Sequence, residues 1–124
     1  MLNENQLNFI QKVKKIYYKI GSIKCAAFLA EQVVFNGHGF NHLLRKGRKF
    51  RERSEQEMRF GLLPDVIKTI EIQKIVNEYR TSTVDNSHAH FWELKGKTEN
   101  GKSFYVVLRK KNNGHLHFFS VYDE

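Results

Sequence analysis

The densest chemistry in this chain lies between residues 37 and 59, GHGFNHLLRKGRKFRERSEQEMR. Between Arg45 and Arg53, six basic residues (Arg45, Lys46, Arg48, Lys49, Arg51 and Arg53) face a single acid, Glu52. Such a density creates a local potential of several kT, suited to phosphates. Arginine adds a planar fork that matches two phosphate oxygens. The plainer reading is a solvated charge run. The functional one is preferred because the run adjoins His38 and His42 and is punctuated by Gly37, Gly39 and Gly47.

His38 and His42 stand four apart, so on a helix they share a face, as metal ligands do. The zinc-protease pattern places Glu directly after the first His, where this chain has Gly39. No Asp, Glu or Cys sits nearby at ligand spacing, so no metal site is expected. Neighbouring cations favour the neutral imidazole, which can accept a proton, so a general base is the alternative. The plainer role is a ring donating to a backbone carbonyl at a turn. His88 and His90, and His115 and His117, are two apart, which puts each pair on one face of a strand. On the last strand His115, His117, Phe119 and Val121 should share one face, and Leu116, Phe118, Ser120 and Tyr122 the other. Pattern alone does not say which face is core. Cys25 is the only cysteine, so it forms no intramolecular disulfide and reads as a buried structural thiol. Phosphate-binding glycine loops, a serine elbow and paired carboxylates are all missing, and no cofactor is expected.

Several elements must position these groups. Leu7, Ile10, Val13, Ile16, Tyr17 and Ile20 recur at helical spacing over residues 2–20, and Gly21 and Ser22 end the helix. Lys12, Lys14, Lys15 and Lys19 form its solvated face. Residues 23–35 mix helix-favouring alanines with strand-favouring Val33, Val34 and Phe35. They read as two short strands turning near Ala30 and Glu31. Asn36-Gly37 signals a turn. A short helix over Gly39 to Lys46 follows, stopped by Gly47. Ser54, with Glu57 three residues on, reads as a capping box. Pro64 kinks or divides the next helical stripe, into 54–62 and 64–70 in the second case. Residues 71–79 are a further helical turn or an extended entry to the sheet. Residues 81–88 read as a polar loop. Three antiparallel strands then follow, with turns at Glu99-Asn100-Gly101 and Asn112-Asn113-Gly114. The class is α+β, with N-terminal helices packed on a C-terminal antiparallel sheet.

Composition fits this organisation. The chain has 124 residues, 40% hydrophobic and 13% aromatic, enough for one core. Its net charge of +8 points to a polyanionic or acidic partner. The longest apolar run, Cys25 to Ala30, is far short of a membrane span, and no leader pattern opens the chain. A cytoplasmic protein without membrane association is expected.

The order of elements and the run FNHLLRKGRKFRERSEQEMRFGLLPDVIKTI resemble the phage-type branch of the barnase–EndoU–colicin–RelE-like (BECR) nuclease superfamily. In that branch a helical start carries His followed by basic residues. A helix with a Leu-Leu-Pro-like segment comes next, then an antiparallel sheet. The segment YVVLRKKNNGHLHFFSVYDE is similar to the family's final hairpin. The likeness covers roughly residues 23–124, leaving residues 1–22 as an added amphipathic helix. It implies an RNA endonuclease that needs no metal. The RNA's own 2′-hydroxyl attacks the phosphate, leaving a 2′,3′-cyclic phosphate and a 5′-hydroxyl. By this resemblance His42 is general base or acid, and Arg45, Lys46 and Arg51 stabilise the phosphate and transition state. Ser120 and Tyr122 position groups or transfer a proton. His38, Arg48, Lys49, Arg59, Tyr79 and Arg80 bind substrate. The partners would be RNA, tRNA among the candidates, and an acidic inhibitor if the protein is a toxin of a mobile-element or phage-like locus. The alternatives are a non-catalytic nucleic-acid-binding module, with Trp92, Tyr105 and Phe119 stacking bases, and a partner-binding protein of phage or plasmid biology.

Overall fold

The structure is a computed structural model that describes residues 3–84, 86–112 and 114–123. Helix α1 (Glu4–Ile20) opens the fold, capped by the Asn3 side chain, which accepts from the Gln6 N–H. Its buried stripe runs through Val13 and Tyr17 with Phe9 and Ile10 beside it, so Leu7 and Ile16, expected on that stripe, are exposed. The four lysines are solvated as expected. Tyr17 is wholly buried against Phe35, Phe40 and Phe118 and donates to the Asn36 carbonyl at 2.7 Å.

The apolar segment after it forms the expected short pair, β1 (Ser22–Cys25) and β2 (Glu31–Val34). A 3-10 turn joins them, and the reversal puts Leu29 and Ala30 at positive φ. Asn36 serves as a cap instead of a turn residue. Its side chain accepts from the His38 N–H, so helix α2 (Gly37–Leu44) starts and ends two residues before the expected span. Gly47 therefore stops no helix. It takes φ 64° in a hairpin between β3 (Arg45–Lys46) and β4 (Lys49–Phe50). Helix α3 (Arg53–Gly61) is capped at Glu52 without a side-chain hydrogen bond, which overturns the Ser54 capping box. Glu57 pairs with Arg53 at 2.9 Å one turn earlier and is not drawn back to Ser54. Pro64 does divide the stripe, lying in the first turn of α4 (Leu63–Ile72), where its missing N–H costs nothing.

The remaining strands are β5 (Glu78–Val84), β6 (Ser87–Lys97), β7 (Ser103–Lys111) and β8 (His117–Asp123). The polar segment 81–88, expected as a loop, is the β5–β6 hairpin; Asp85 lies outside the described residues. An edge strand with threonines can be polar on both faces and still pair through its backbone. Gly101 turns the β6–β7 hairpin at φ 81°. Asn113, expected in the next turn, lies outside the described residues.

The sheet has six strands in the order β1-β2-β8-β7-β6-β5. It is mixed, which corrects the purely antiparallel, C-terminal expectation: β2 runs parallel to β8. That pairing is a single rung, Val34 with His117, after which β2 leaves and α2 packs beside β8. One face of the sheet (Val33, Leu94, Phe104, Val106, Leu108, Phe118 and Val121) meets Leu63, Val66 and Ile70 of α4 with Phe40 and Leu43 of α2 in one core. Gln56, fully buried, ties three helices together: it donates to the Leu44 carbonyl and accepts from Gln6. Among the described residues no helix is long and apolar enough to cross a membrane.

Candidate active site

The opposite face of the sheet is the more open one, and its register reads as rows. Glu78, Glu93, Val107 and Ser120 make one row, and Arg80, Phe91, Arg109 and His117 the next. Tyr105 with Tyr122 continues the first side. A β-bulge between Val107 and Leu108 builds this arrangement. Phe118 faces Leu108 and Ser120 faces Val107, so Phe119 is the extra residue. The unbroken alternation expected for residues 115–122 is therefore wrong. Phe118 and Val121 both enter the core, while His117, Ser120 and Tyr122 share the open face. Phe119 joins them there, packed on Ala89, Phe91 and Val107.

Helix α2 supplies the imidazoles. Its Phe40 and Leu43 point into the core, which leaves His38 and His42, one turn apart, toward the edge of the open face. The His42 ring lies 4.1 Å from Phe119 and the His38 ring 5.6 Å from His117. Gly39 makes this close approach possible: a Cβ there would stand 2.5 Å from the Phe118 carbonyl and from the Tyr17 hydroxyl.

Cations surround His42. Arg51 donates to the His42 carbonyl at 2.9 Å and to Glu55 at 2.9 Å. Arg59 bonds the same Glu55 at 3.2 Å and donates to the Val121 carbonyl at the edge of β8. Arg109 lies over Phe119 at 4.5 Å and donates Nε–H to Nε2 of His117 at 3.0 Å. Burial, then Arg51, Arg109 and Arg59, push the His42 pKa below its ordinary value, so the ring is neutral near pH 7. Among the described residues its Nδ1 is buried without a hydrogen-bond partner. His117 is 5% exposed and is pushed down to about 4, chiefly by burial and then by Arg109. Its tautomer follows from its bonds: Nε2 accepts from Arg109, so Nδ1 holds the proton and donates to the His115 carbonyl. Burial and Arg51 also lower the Arg59 pKa.

Two hollows flank this cluster. One of about 230 Å³ is lined by Asn41, His42, Arg45 and Gly47. The other, about 190 Å³, lies on the open face among Arg80, Phe91, Glu93, Val107 and Tyr122. There the Tyr122 hydroxyl donates to Glu93, whose other oxygen accepts from Asn77, and Arg80 lies 5.1 Å over Phe91. Among the described residues no three of His, Cys, Asp or Glu gather closely enough to hold a metal ion.

Of the residues expected from sequence, His42, Arg45, Arg51 and Arg59 come together, and Ser120, Tyr122 and Arg80 lie on the adjoining open face. Lys46, Arg48 and Lys49 are exposed on the β3–β4 hairpin, and Arg45 stacks on Phe50 at 3.8 Å. Arg51 and Arg59 are not open to a ligand: their side chains are 7% and 10% exposed and already engaged. Tyr79 does not share the cleft with Arg80. The two are strand neighbours and point to opposite faces, Tyr79 joining His90 and Trp92. Trp92 is half-buried against Phe28 on that other face, so it stacks no base beside Phe119. Sequence reasoning passed over Arg109, Phe91 and Glu93. Arg109 had a signal, a cation in alternation with Tyr105 and Val107 directly after the apolar run 104–108. Cys25 is fully buried, as expected. Compared with known proteins, the chain matches no family model, no curated protein and no solved structure.

Proposed function

We propose that this protein is an RNA endonuclease in which the substrate's 2′-hydroxyl attacks the adjacent phosphate. His42 removes the 2′-proton, the 2′-oxygen bonds to phosphorus, and the bond to the departing 5′-oxygen breaks as that oxygen gains a proton. The products are a 2′,3′-cyclic phosphate and a 5′-hydroxyl. One observation carries this reading: a half-buried imidazole, its pKa lowered by burial and then by arginines, is wedged between the aromatic open face and a hollow it shares with Arg45. A general base must be unprotonated at working pH, and burial among cations achieves that. Arg45 neutralises the phosphate from the same hollow. Lys46, Arg48 and Lys49 on the hairpin, with His38 and Arg80, hold the flanking backbone. Ser120 and Tyr122 supply hydroxyls for positioning or for the 5′-oxygen's proton. Arg51 and Arg59 act through His42 as positioning residues and electrostatic neighbours. The net charge of +8 also suits an acidic inhibitor, as a toxin of a phage-like or mobile locus would have.

The test is incubation of the purified protein with mixed tRNA in EDTA, followed by analysis of fragment ends. Cyclic phosphate termini are expected, and His42→Ala should slow cleavage by about 10²–10⁴-fold with unchanged circular dichroism. Intact but gel-shifted RNA would overturn the enzyme and leave a binding module. That second reading is favoured by one observation, the inward engagement of Arg51, Arg59 and Arg109. A salt titration separates RNA from an acidic protein surface. Single-stranded RNA gives a slope near −0.7 per phosphate contact.

A further inference from the structure

The face of the sheet that carries the core is covered by helices only part of the way. Beyond the 3-10 turn, where Phe28 meets Trp92 edge-on at 5.0 Å, the far ends of β5, β6 and β7 continue with polar or aromatic side chains. There Tyr79, His90 and Trp92 form a cross-strand ring cluster, with Tyr79 and Trp92 5.6 Å apart and tilted by 31°. Tyr79 and His90 are 5.9 Å apart at 13°, and His90 and Trp92 are 5.7 Å apart at 20°. The Tyr79 hydroxyl bonds Nδ1 of His90 at 2.7 Å, which fixes both rings, and Tyr79 is 51% exposed. The rings, with Lys110, Lys111 and Asn112, line a hollow of about 440 Å³, within the range of ligand pockets. Cross-strand ring pairing accounts for the register of the hairpin. It does not account for an open hollow with the Lys110 cation on one wall and π-faces on the other. Lys110 Nζ is shared with Glu31 at 3.3 Å, at a surface where both side chains keep substantial exposure.

We propose that this hollow is a second binding platform, for single-stranded RNA, in which bases stack on Tyr79, His90 and Trp92 and the backbone follows Lys110 and Lys111. Stacking platforms beside a cationic track are the physical requirement for single-strand binding, and duplex bases cannot use them. The location ties the platform to the site already described. Lys110 and Lys111 are strand neighbours, so they point to opposite faces at the rim of the sheet. Lys110 pairs with His90 on the platform side, and Lys111 with Ala89 on the open face that holds Arg109 and His117. A strand leaving the His42 region crosses that positive rim to reach the rings. The inference rests on RNA being the substrate, but its test does not depend on cleavage.

Trp92 is the only tryptophan, and its ring lies on the platform side with Tyr79 and His90, so its fluorescence reports this hollow. The probe is an octauridylate methylated at every 2′-oxygen, which lacks the attacking hydroxyl. Saturable quenching is expected with wild type. Tyr79→Ala should weaken binding roughly 5- to 150-fold, the loss of one stacked base. Lys110→Gln, which leaves every ring in place, should flatten the salt slope by about 0.7. Free uridine monophosphate should bind more weakly than the oligomer. Unchanged emission on titration, an affinity untouched by Tyr79→Ala and Lys110→Gln, quenching by a blunt RNA duplex as strong as by the oligomer, or equal affinity for the free nucleotide would each overturn the proposal. Loss of cleavage with quenching intact would remove the nuclease and leave the platform standing.

Discussion

His117 gives a prediction whose size comes directly from the structure. The folded protein binds its proton near pH 4, whereas an ordinary imidazole in the unfolded chain binds it near 6.5. Between those values the unfolded chain holds more protons, so stability falls as the pH falls. The contribution of the neutral ring is complete above pH 6.5 and is lost as the pH drops through about 4. The loss by pH 4 comes to about 3 kcal/mol. A ring 5% exposed is little screened by solvent, so most of this should be measurable. The perturbation is His117→Gln, whose amide oxygen can accept from Arg109 Nε–H without titrating. Urea unfolding of both proteins at pH 7 and pH 4 is the assay. Carboxylates titrate alike in the two, and His42, whose pKa is lowered in the same direction, stays in both. Wild type should therefore lose about 2–3 kcal/mol more than the variant over this interval. Equal losses would refute the reasoning, because Nε2 of His117 would then not be committed to Arg109. The same protonation sets two cations against each other under Phe119, where His42 packs, so the proposed cleavage should fall on the acid side as well.

Two further predictions concern how the site is assembled. Gly39→Ala should destabilise by about 1–3 kcal/mol in urea unfolding, since its methyl meets the Phe118 carbonyl and the Tyr17 hydroxyl at 2.5 Å and backbone cannot yield cheaply. A wild-type midpoint would show that α2 does not press on β8. Deleting Phe119 should leave a folded protein weaker by about 1–2 kcal/mol, because removing the extra residue of a bulge preserves the pairing on both sides of it. Circular dichroism and urea unfolding read this, and an unfolded deletion variant would mean that Phe119 is a register residue.

Much of the architecture could be read before any coordinates. Helical spacing in α1, the β1–β2 pair, the division at Pro64 and the hairpins are consequences of local periodicity and turn chemistry, and they are present. The errors fall where tertiary contacts override local signals. Ser54 offers a good cap, but Glu57 is engaged by Arg53, and the helix starts earlier. TSTV reads as a loop by polarity, yet its backbone pairs with β6 along an edge where side chains need no burial. The basic run was legible as charge, while its partition was not. Arg45 reaches a hollow, Lys46, Arg48 and Lys49 stay in solvent, and Arg51 and Arg59 fold inward onto Glu55 and backbone carbonyls.

The last strand shows why a site is harder to read than a fold. Period-two reasoning assigns faces only if no residue is inserted, and nothing in HLHFFSVY marks an insertion, since Phe119 is as apolar and as strand-favouring as its neighbours. One added residue leaves the composition of the strand unchanged and reverses the face of everything after it. Were the strand to keep strict alternation through Phe119, Val121 would leave the core, and Ser120 and Tyr122 would turn away from His117 into the helical layer. The ring that causes the shift is also the one on which His42 and Arg109 rest. The bulge thus sets the partners of β8 and the floor of the candidate site in one step, so the two hydroxyls and the two imidazoles can face a common ligand only as a consequence of that irregularity.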